Sequence, residues 1–243
     1  MRYLSFVILL LFAQKNLLAA VIEDFSANYD VYQNGFYLGE STRTLRSKND
    51  QLTFTSITQS KGIAAWFFDV KIVELSKLIF AKNTLQFHYY KYDEKQKNKH
   101  EIIELKIDKP RQVFNSYTKQ YYPLIQNLYD GLGFSVAMMF DLKKGQRNLS
   151  YTIAEKEHLK HYQLKFLGYE KLPTDNKAIT TLKMEQYDPQ SKSRFTFWCA
   201  ENMQFLPVRI RNIKTNGDEI TLNLTHFNHQ AIYLQTENDD DNI

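Results

Sequence analysis

Apolar and polar residues alternate with a period of two through most of the chain. Leu85, Phe87 and Tyr89 alternate with Gln86, His88 and Tyr90; Leu182 and Met184 with Thr181, Lys183 and Glu185; Ile220, Leu222 and Leu224 with Thr221, Asn223 and Thr225. Phe195, Phe197 and Cys199 share one face, and Val208 and Ile210 alternate with Arg209 and Arg211. Successive strand side chains point to opposite faces, so this pattern predicts antiparallel strands with one dry face and one wet face. Turn signals separate the runs. Gln33-Asn34-Gly35 predicts a hairpin turn, as does Thr215-Asn216-Gly217-Asp218. The polar stretch from Lys91 to Lys99 reads as an exposed hairpin tip, and Asp188-Pro189-Gln190-Ser191 as a connector.

One segment departs from period two. From Tyr121 onward the apolar positions Ile125, Leu128, Tyr129, Leu132, Val136, Met139 and Phe140 follow helical spacing. Pro123 is acceptable in a first turn, and Gly131 and Gly133 would bend or divide the helix. The expected fold is mainly β: a large curved antiparallel sheet or incomplete barrel of roughly ten strands, with one mid-chain helix or broken helix pair on its concave face. Such a helix must bury its apolar stripe against the dry face. Neither a repeat nor a linker interrupts the pattern, so residues 21–235 are expected to form a single domain.

The N-terminus adds a compartment. Arg2 precedes the apolar run Phe6-Val7-Ile8-Leu9-Leu10-Leu11-Phe12, and Leu17-Leu18-Ala19-Ala20 supplies small residues at its end. This predicts a signal peptide over residues 1–20, cleaved near Ala20. The run is shorter than the about 20 apolar residues a membrane span requires, so no integral span is expected after cleavage. No cysteine lies near that site for lipid attachment.

Composition narrows the function classes. The chain of 243 residues is 14% aromatic, with 16 Tyr and 17 Phe, which suits pleated half-buried surfaces. Its formal charge of +4 falls by two when Arg2 and Lys15 leave with the leader. The tail, residues 236–243, is acidic and is expected to be disordered. So weak a charge, with no nucleic-acid motif, argues against a nucleic-acid partner. Cys199 is the single cysteine, so no internal disulfide exists, and its strand context reads as a small buried residue.

Candidate chemistry is sparse. His158 and His161 would share a face on a helix, but on a strand residues three apart face oppositely and cannot chelate together; His226 and His229 meet the same objection. Gly133-Phe134-Ser135 lacks the second glycine of a nucleophile elbow. No Gly-rich phosphate loop is present. The expectation is a non-enzymatic protein without a cofactor or metal. Its apolar groove would be lined by Tyr121, Tyr122, Phe134, Met138, Met139 and Phe140, and would hold a lipid, an acyl chain or another hydrophobic ligand. The alternative is a structural protein that docks on an envelope complex through its sheet edges.

The strand layout also resembles a known family. Tyr29-Asp30-Val31-Tyr32 is followed by Gly35 and Leu38-Gly39-Glu40; later come Gly168-Tyr169-Glu170-Lys171-Leu172-Pro173-Thr174, Phe197-Trp198-Cys199-Ala200 and Leu206-Pro207-Val208-Arg209. These residues resemble the bacterial exported family DUF3108, a domain of unknown function, over Phe25 to Phe227. Where that family carries Asp-x-Leu-Ser before its helix, this chain has Asp130-Gly131-Leu132-Gly133. The resemblance implies a periplasmic, cell-envelope location and no established activity. At fold level it is similar to the half-barrels of lipoprotein carriers and lipid-sensing periplasmic proteins.

Overall fold

A computed structural model describes residues 22–173, 178–188 and 192–229. The expected signal peptide and acidic tail lie outside these residues. The strands are β1 (Phe25–Gln33), β2 (Phe36–Lys48), β3 (Gln51–Ser60), β4 (Lys71–Ala81), β5 (Thr84–Gln96), β6 (Lys99–Lys109), β7 (Gln112–Asn115), β8 (Gln120–Pro123), β9 (Leu128–Asp130), β10 (Asn148–Ala154), β11 (Leu159–Leu172), β12 (Ile179–Tyr187), β13 (Arg194–Ala200), β14 (Leu206–Ile213) and β15 (Glu219–His229). Helix α1 (Gly62–Phe67) joins β3 to β4, and α2 (Gly133–Lys143) joins β9 to β10.

All of these strands belong to one sheet, in the order β8-β7-β6-β5-β4-β3-β2-β1-β15-β14-β13-β12-β11-β10-β9. Two meanders, β2 to β8 and β9 to β14, meet through the antiparallel pair of β1 and β15. Every neighbouring pair is antiparallel except β9 with β10. The two-residue turn between β1 and β2 has positive φ at Asn34 and Gly35, the geometry that matches the twist of a hairpin.

Sheets this large curl. The two ends approach each other, with β9 packing across β5, where the Tyr129 hydroxyl donates to the Leu85 carbonyl at 2.8 Å. Inward-facing Phe25, Leu45, Phe54, Leu78, Phe87, Leu105, Leu164, Phe197 and Ile210 form a single core cluster with α2. A second, smaller cluster on the convex face gathers Leu172, Trp198, Ala200 and Val208. Cys199 is wholly buried in the main core, and burial pushes its thiol pKa well up.

Three sequence expectations require correction. The described residues form fifteen strands rather than roughly ten. β7, β8 and β9 span only four, four and three residues, too few for alternation to register. The polar stretch Lys91–Lys99 is mostly strand, because β5 runs to Gln96 and β6 begins at Lys99. The mid-chain helix begins at Gly133, not near Tyr121. The earlier helical spacing comes from β8, a loop carrying exposed Ile125, and β9.

The cause of that helix start is local. The Asp130 carboxylate accepts hydrogen bonds from the Leu132 N–H at 2.9 Å and the Gly133 N–H at 2.6 Å through Oδ1. It thereby satisfies donors that an unaccompanied helix start would leave unpaired. Position 133 is crowded: a Cβ there would lie 2.4 Å from Ser76 Oγ and 2.7 Å from Asp130 Oδ2. Glycine lets the start of α2 press against β4. Of the eleven residues of α2, all but Asp141 and Lys143 are buried, so the helix is a core element without a wet face.

Candidate binding cleft

On the concave side, register places Ala27, Arg43, Ser56, Glu74, Tyr92 and Ile103 in one row across β1 to β6. The neighbouring row, nearer α2, runs Phe25, Leu45, Phe54, Ser76, Tyr90 and Leu105. The core is thus apolar around α2 and turns polar above the helix N-terminus. Ser76 Oγ donates to Asp130 Oδ2 at 2.6 Å, and the Tyr90 hydroxyl donates to Glu74 Oε1 at 2.8 Å. Burial raises the Glu74 pKa, against the pull of the Tyr90 hydrogen bond and the nearby Arg43 guanidinium. Arg43 itself lies with Cζ 5.3 Å from the centre of the Tyr29 ring.

A cleft of about 400 Å³ opens where β5 and β6 face the turn after β9 and the β10–β11 turn. Tyr90, Tyr92, Ile103, Leu105 and Ala154 line its depth, and exposed Gly131 borders its mouth. Its rim is charged: Lys99 Nζ lies 3.0 Å from Glu101 Oε2 and 3.5 Å from Glu94 Oε2, and Lys156 pairs with Glu101 from across the seam. The two lysines hold the Glu101 carboxyl below the usual carboxylate range. The Lys156 ammonium also sits 4.3 Å from the centre of the Tyr117 ring. The Tyr162 hydroxyl donates to Glu155 Oε1 at 2.9 Å and divides this cleft from a neighbouring hollow lined by Lys160, Phe195, Asn212 and Lys214. An apolar depth with a charged rim of both signs suits an amphiphile, the apolar body inside and a polar end at the rim.

The six residues expected to line a groove are distributed differently. Tyr121 is exposed on β8, its hydroxyl donating to Asp108 Oδ2 at 2.7 Å and its ring covered by the Lys109 ammonium at 4.2 Å. Tyr122 is buried on β8; its hydroxyl donates to the Glu157 carbonyl at 3.1 Å and tethers that edge to the β10–β11 turn. Phe134, Met138, Met139 and Phe140 are on α2 in the main core. The Phe134 ring meets Tyr162 and Phe197 edge-on, each at 5.8 Å, and Phe140 meets Phe80 at 5.7 Å. None of the six is among the residues lining the cleft.

His158 precedes β11 rather than lying on it, so strand alternation is not what separates it from His161. His158 is exposed in the β10–β11 turn, while His161 on β11 lies 3.2 Å from Ser150 Oγ. Among the described residues no three His, Cys, Asp or Glu side chains converge as a metal set.

Sequence reading missed Tyr90 and Tyr92 because of a β-bulge. Pairing shifts between Lys77 and Leu78, whose partners are Tyr89 and Phe87, leaving His88 extra. The phase of β5 therefore reverses: Leu85 and Phe87 point inward, then Tyr90 and Tyr92. The tandem Tyr89-Tyr90 is the only sequence mark of this reversal.

No curated protein matches the chain. Among solved structures it is similar to a β-barrel-like protein of a domain of unknown function, DUF1849, from Brucella abortus. That likeness has 9% identity and a TM-score of 0.55, covering 86% of this chain and 99% of that one. It shows the fold alone. A DUF1089 family protein from Pseudomonas aeruginosa is more remote, at 9% identity and a TM-score of 0.38 over 69% of this chain and 87% of that one. The family model for DUF3108, a protein of unknown function, matches residues 28–225. Most of the curled sheet, from within β1 to within β15, falls inside that match, and the chain belongs to the DUF3108 family.

Proposed function

We propose that this is a non-enzymatic protein of the bacterial cell envelope, exported to the periplasm by its N-terminal leader, that binds a lipid or another amphiphile in the seam cleft. The observation that carries this reading is the cleft's composition. Tyrosine, isoleucine, leucine and alanine line its depth, and Lys99, Lys156, Glu94, Glu101 and Glu155 stand at its rim. Each methylene taken into such a depth contributes about 0.8 kcal/mol, so a medium-length acyl chain binds without a dedicated polar motif. The alternative of docking by strand addition is less well supported. The edge strands β8 and β9 span four and three residues, and β8 is tied down by Tyr122.

Gly131 provides the test. It borders the mouth of the cleft, and a Cβ built on it would meet no atom within 4 Å. Gly131→Trp should block that mouth with an indole and leave the fold intact. The wild-type protein should take up a fluorescent fatty acid saturably, and the variant should bind it at least about tenfold more weakly with an unchanged melting temperature. Equal uptake by a folded Gly131→Trp variant, or no uptake by the wild type, would overturn this reading.

A further inference from the structure

Helix α1 has its apolar side chains the wrong way round for a helix that only packs on its own fold. Ile63, Trp66 and Phe67 fall at positions i, i+3 and i+4 and so share a face. That face is in solvent, with Ile63 80%, Trp66 89% and Phe67 76% exposed. The small residue Ala64 is the one buried, and α1 packs against β2. Phe68 extends the exposed group, and Phe36, at the start of β2, is exposed as well. A helix stabilised only by its own fold would bury the aromatics and expose the alanines.

We infer that α1 is a membrane-contact knuckle, which seats Ile63, Trp66, Phe67 and Phe68 in the interface of a phospholipid bilayer. Size favours a bilayer over a second protein. The four side chains expose about 600 Å², scaled from the area such residues bury. A stable protein interface takes about 800 Å² per partner. A six-residue projection presents its side chains around a tip rather than across a flat patch, and an interfacial medium can surround such a tip. Tryptophan and phenylalanine suit that medium, and short amphipathic helices lie in it to a depth of about 5–10 Å. Lys61 and Lys71 flank the helix, with Lys61 paired to Glu40 at 3.9 Å and Asp69 between the two lysines. The flanking charges therefore balance, and the apolar side chains carry the contact. The β3–β4 connection occupies the same end of the curled sheet as the β5–β6 and β10–β11 turns that border the cleft. The inference goes beyond cleft binding and does not depend on it.

The protein carries its own reporter. It has two tryptophans, and Trp198 is only 3% exposed, so a vesicle-induced change in emission reports on Trp66. With vesicles of phosphatidylethanolamine and phosphatidylglycerol, emission should shift to the blue and be quenched by brominated acyl chains. An Ile63→Ser/Phe67→Ser double variant keeps Trp66 and changes only exposed positions. It should melt as the wild type does and lower the vesicle-bound fraction about tenfold. Gly131→Trp should still sediment with vesicles, which separates failure of this inference from failure of the cleft reading. Unchanged Trp66 emission at saturating lipid, or a vesicle-independent dimer that the double variant abolishes, would overturn the assignment.

Discussion

Asp130 links the helix cap to the pH dependence of the whole fold. Its carboxylate is fully buried and accepts three hydrogen bonds, from Leu132 N–H, Gly133 N–H and Ser76 Oγ. Burial raises its pKa from 3.8 to about 6, outweighing those bonds, each of which favours the charged form. The native state therefore holds this proton more tightly than the unfolded chain. Its contribution to stability is fully present below about pH 4 and is lost as pH rises through about 6. The whole rise corresponds to about 3 kcal/mol. Asp130→Asn cannot ionise, yet its amide oxygen can still accept from Leu132 and Gly133 while its NH₂ donates to Ser76. Urea denaturation of both proteins from pH 4.5 to 8 should show the variant gaining on the wild type as pH increases, by about 2 kcal/mol across that window, the remainder of the change lying below about pH 4.5. Burial also raises Asp141, which is common to the two proteins and cancels in the difference, whereas Glu74, whose charge helps to raise Asp130, is coupled to it and spreads the change over a wider pH range. A difference that stays flat, or that turns against the variant with rising pH, would refute the argument.

Met138 is wholly buried on α2, so Met138→Ala should lose about 2–5 kcal/mol in denaturant melts. A loss below about 1 kcal/mol would mean that α2 is loosely held within the sheet. Cys199 is inaccessible in the native state and its thiol pKa is raised by burial. Maleimide labelling should therefore proceed at the rate of global opening and accelerate with urea in step with unfolding. Prompt labelling in native buffer would show that β13 opens on its own.

Much of the fold was legible in the sequence. Alternation and hairpin turns located the long strands, and the motifs around Tyr29, Gly168, Trp198 and Leu206 pointed to the family whose model matches residues 28–225. What failed did so for identifiable reasons. Ile125, Leu128, Tyr129 and Leu132 mimic a helical stripe because a four-residue strand, a loop and a three-residue strand happen to repeat at that spacing. The true helix start depends on Ser76, Asp130 and Gly133 meeting across a separation of more than fifty residues, which no local window contains. The cleft residues Tyr90 and Tyr92 were hidden by a one-residue bulge that inverts the phase of β5. The exposed aromatics of α1 were visible as residues, but their orientation depends on which side of a six-residue helix meets β2.

The pairing of β1 with β15 has a consequence for how the chain must be made. Each meander consists of neighbours in sequence and can form as soon as its strands emerge. The strand that joins them, β1, must wait for a partner about two hundred residues later. Loop closure over such a distance is slow, and sheets dominated by distant pairings are slow folders. Until β15 arrives, β1 presents an unpaired edge to whatever surrounds the growing chain. The finished molecule has short ends at its seam, but its longest-lived vulnerable edge during synthesis lies at what becomes the middle of the sheet.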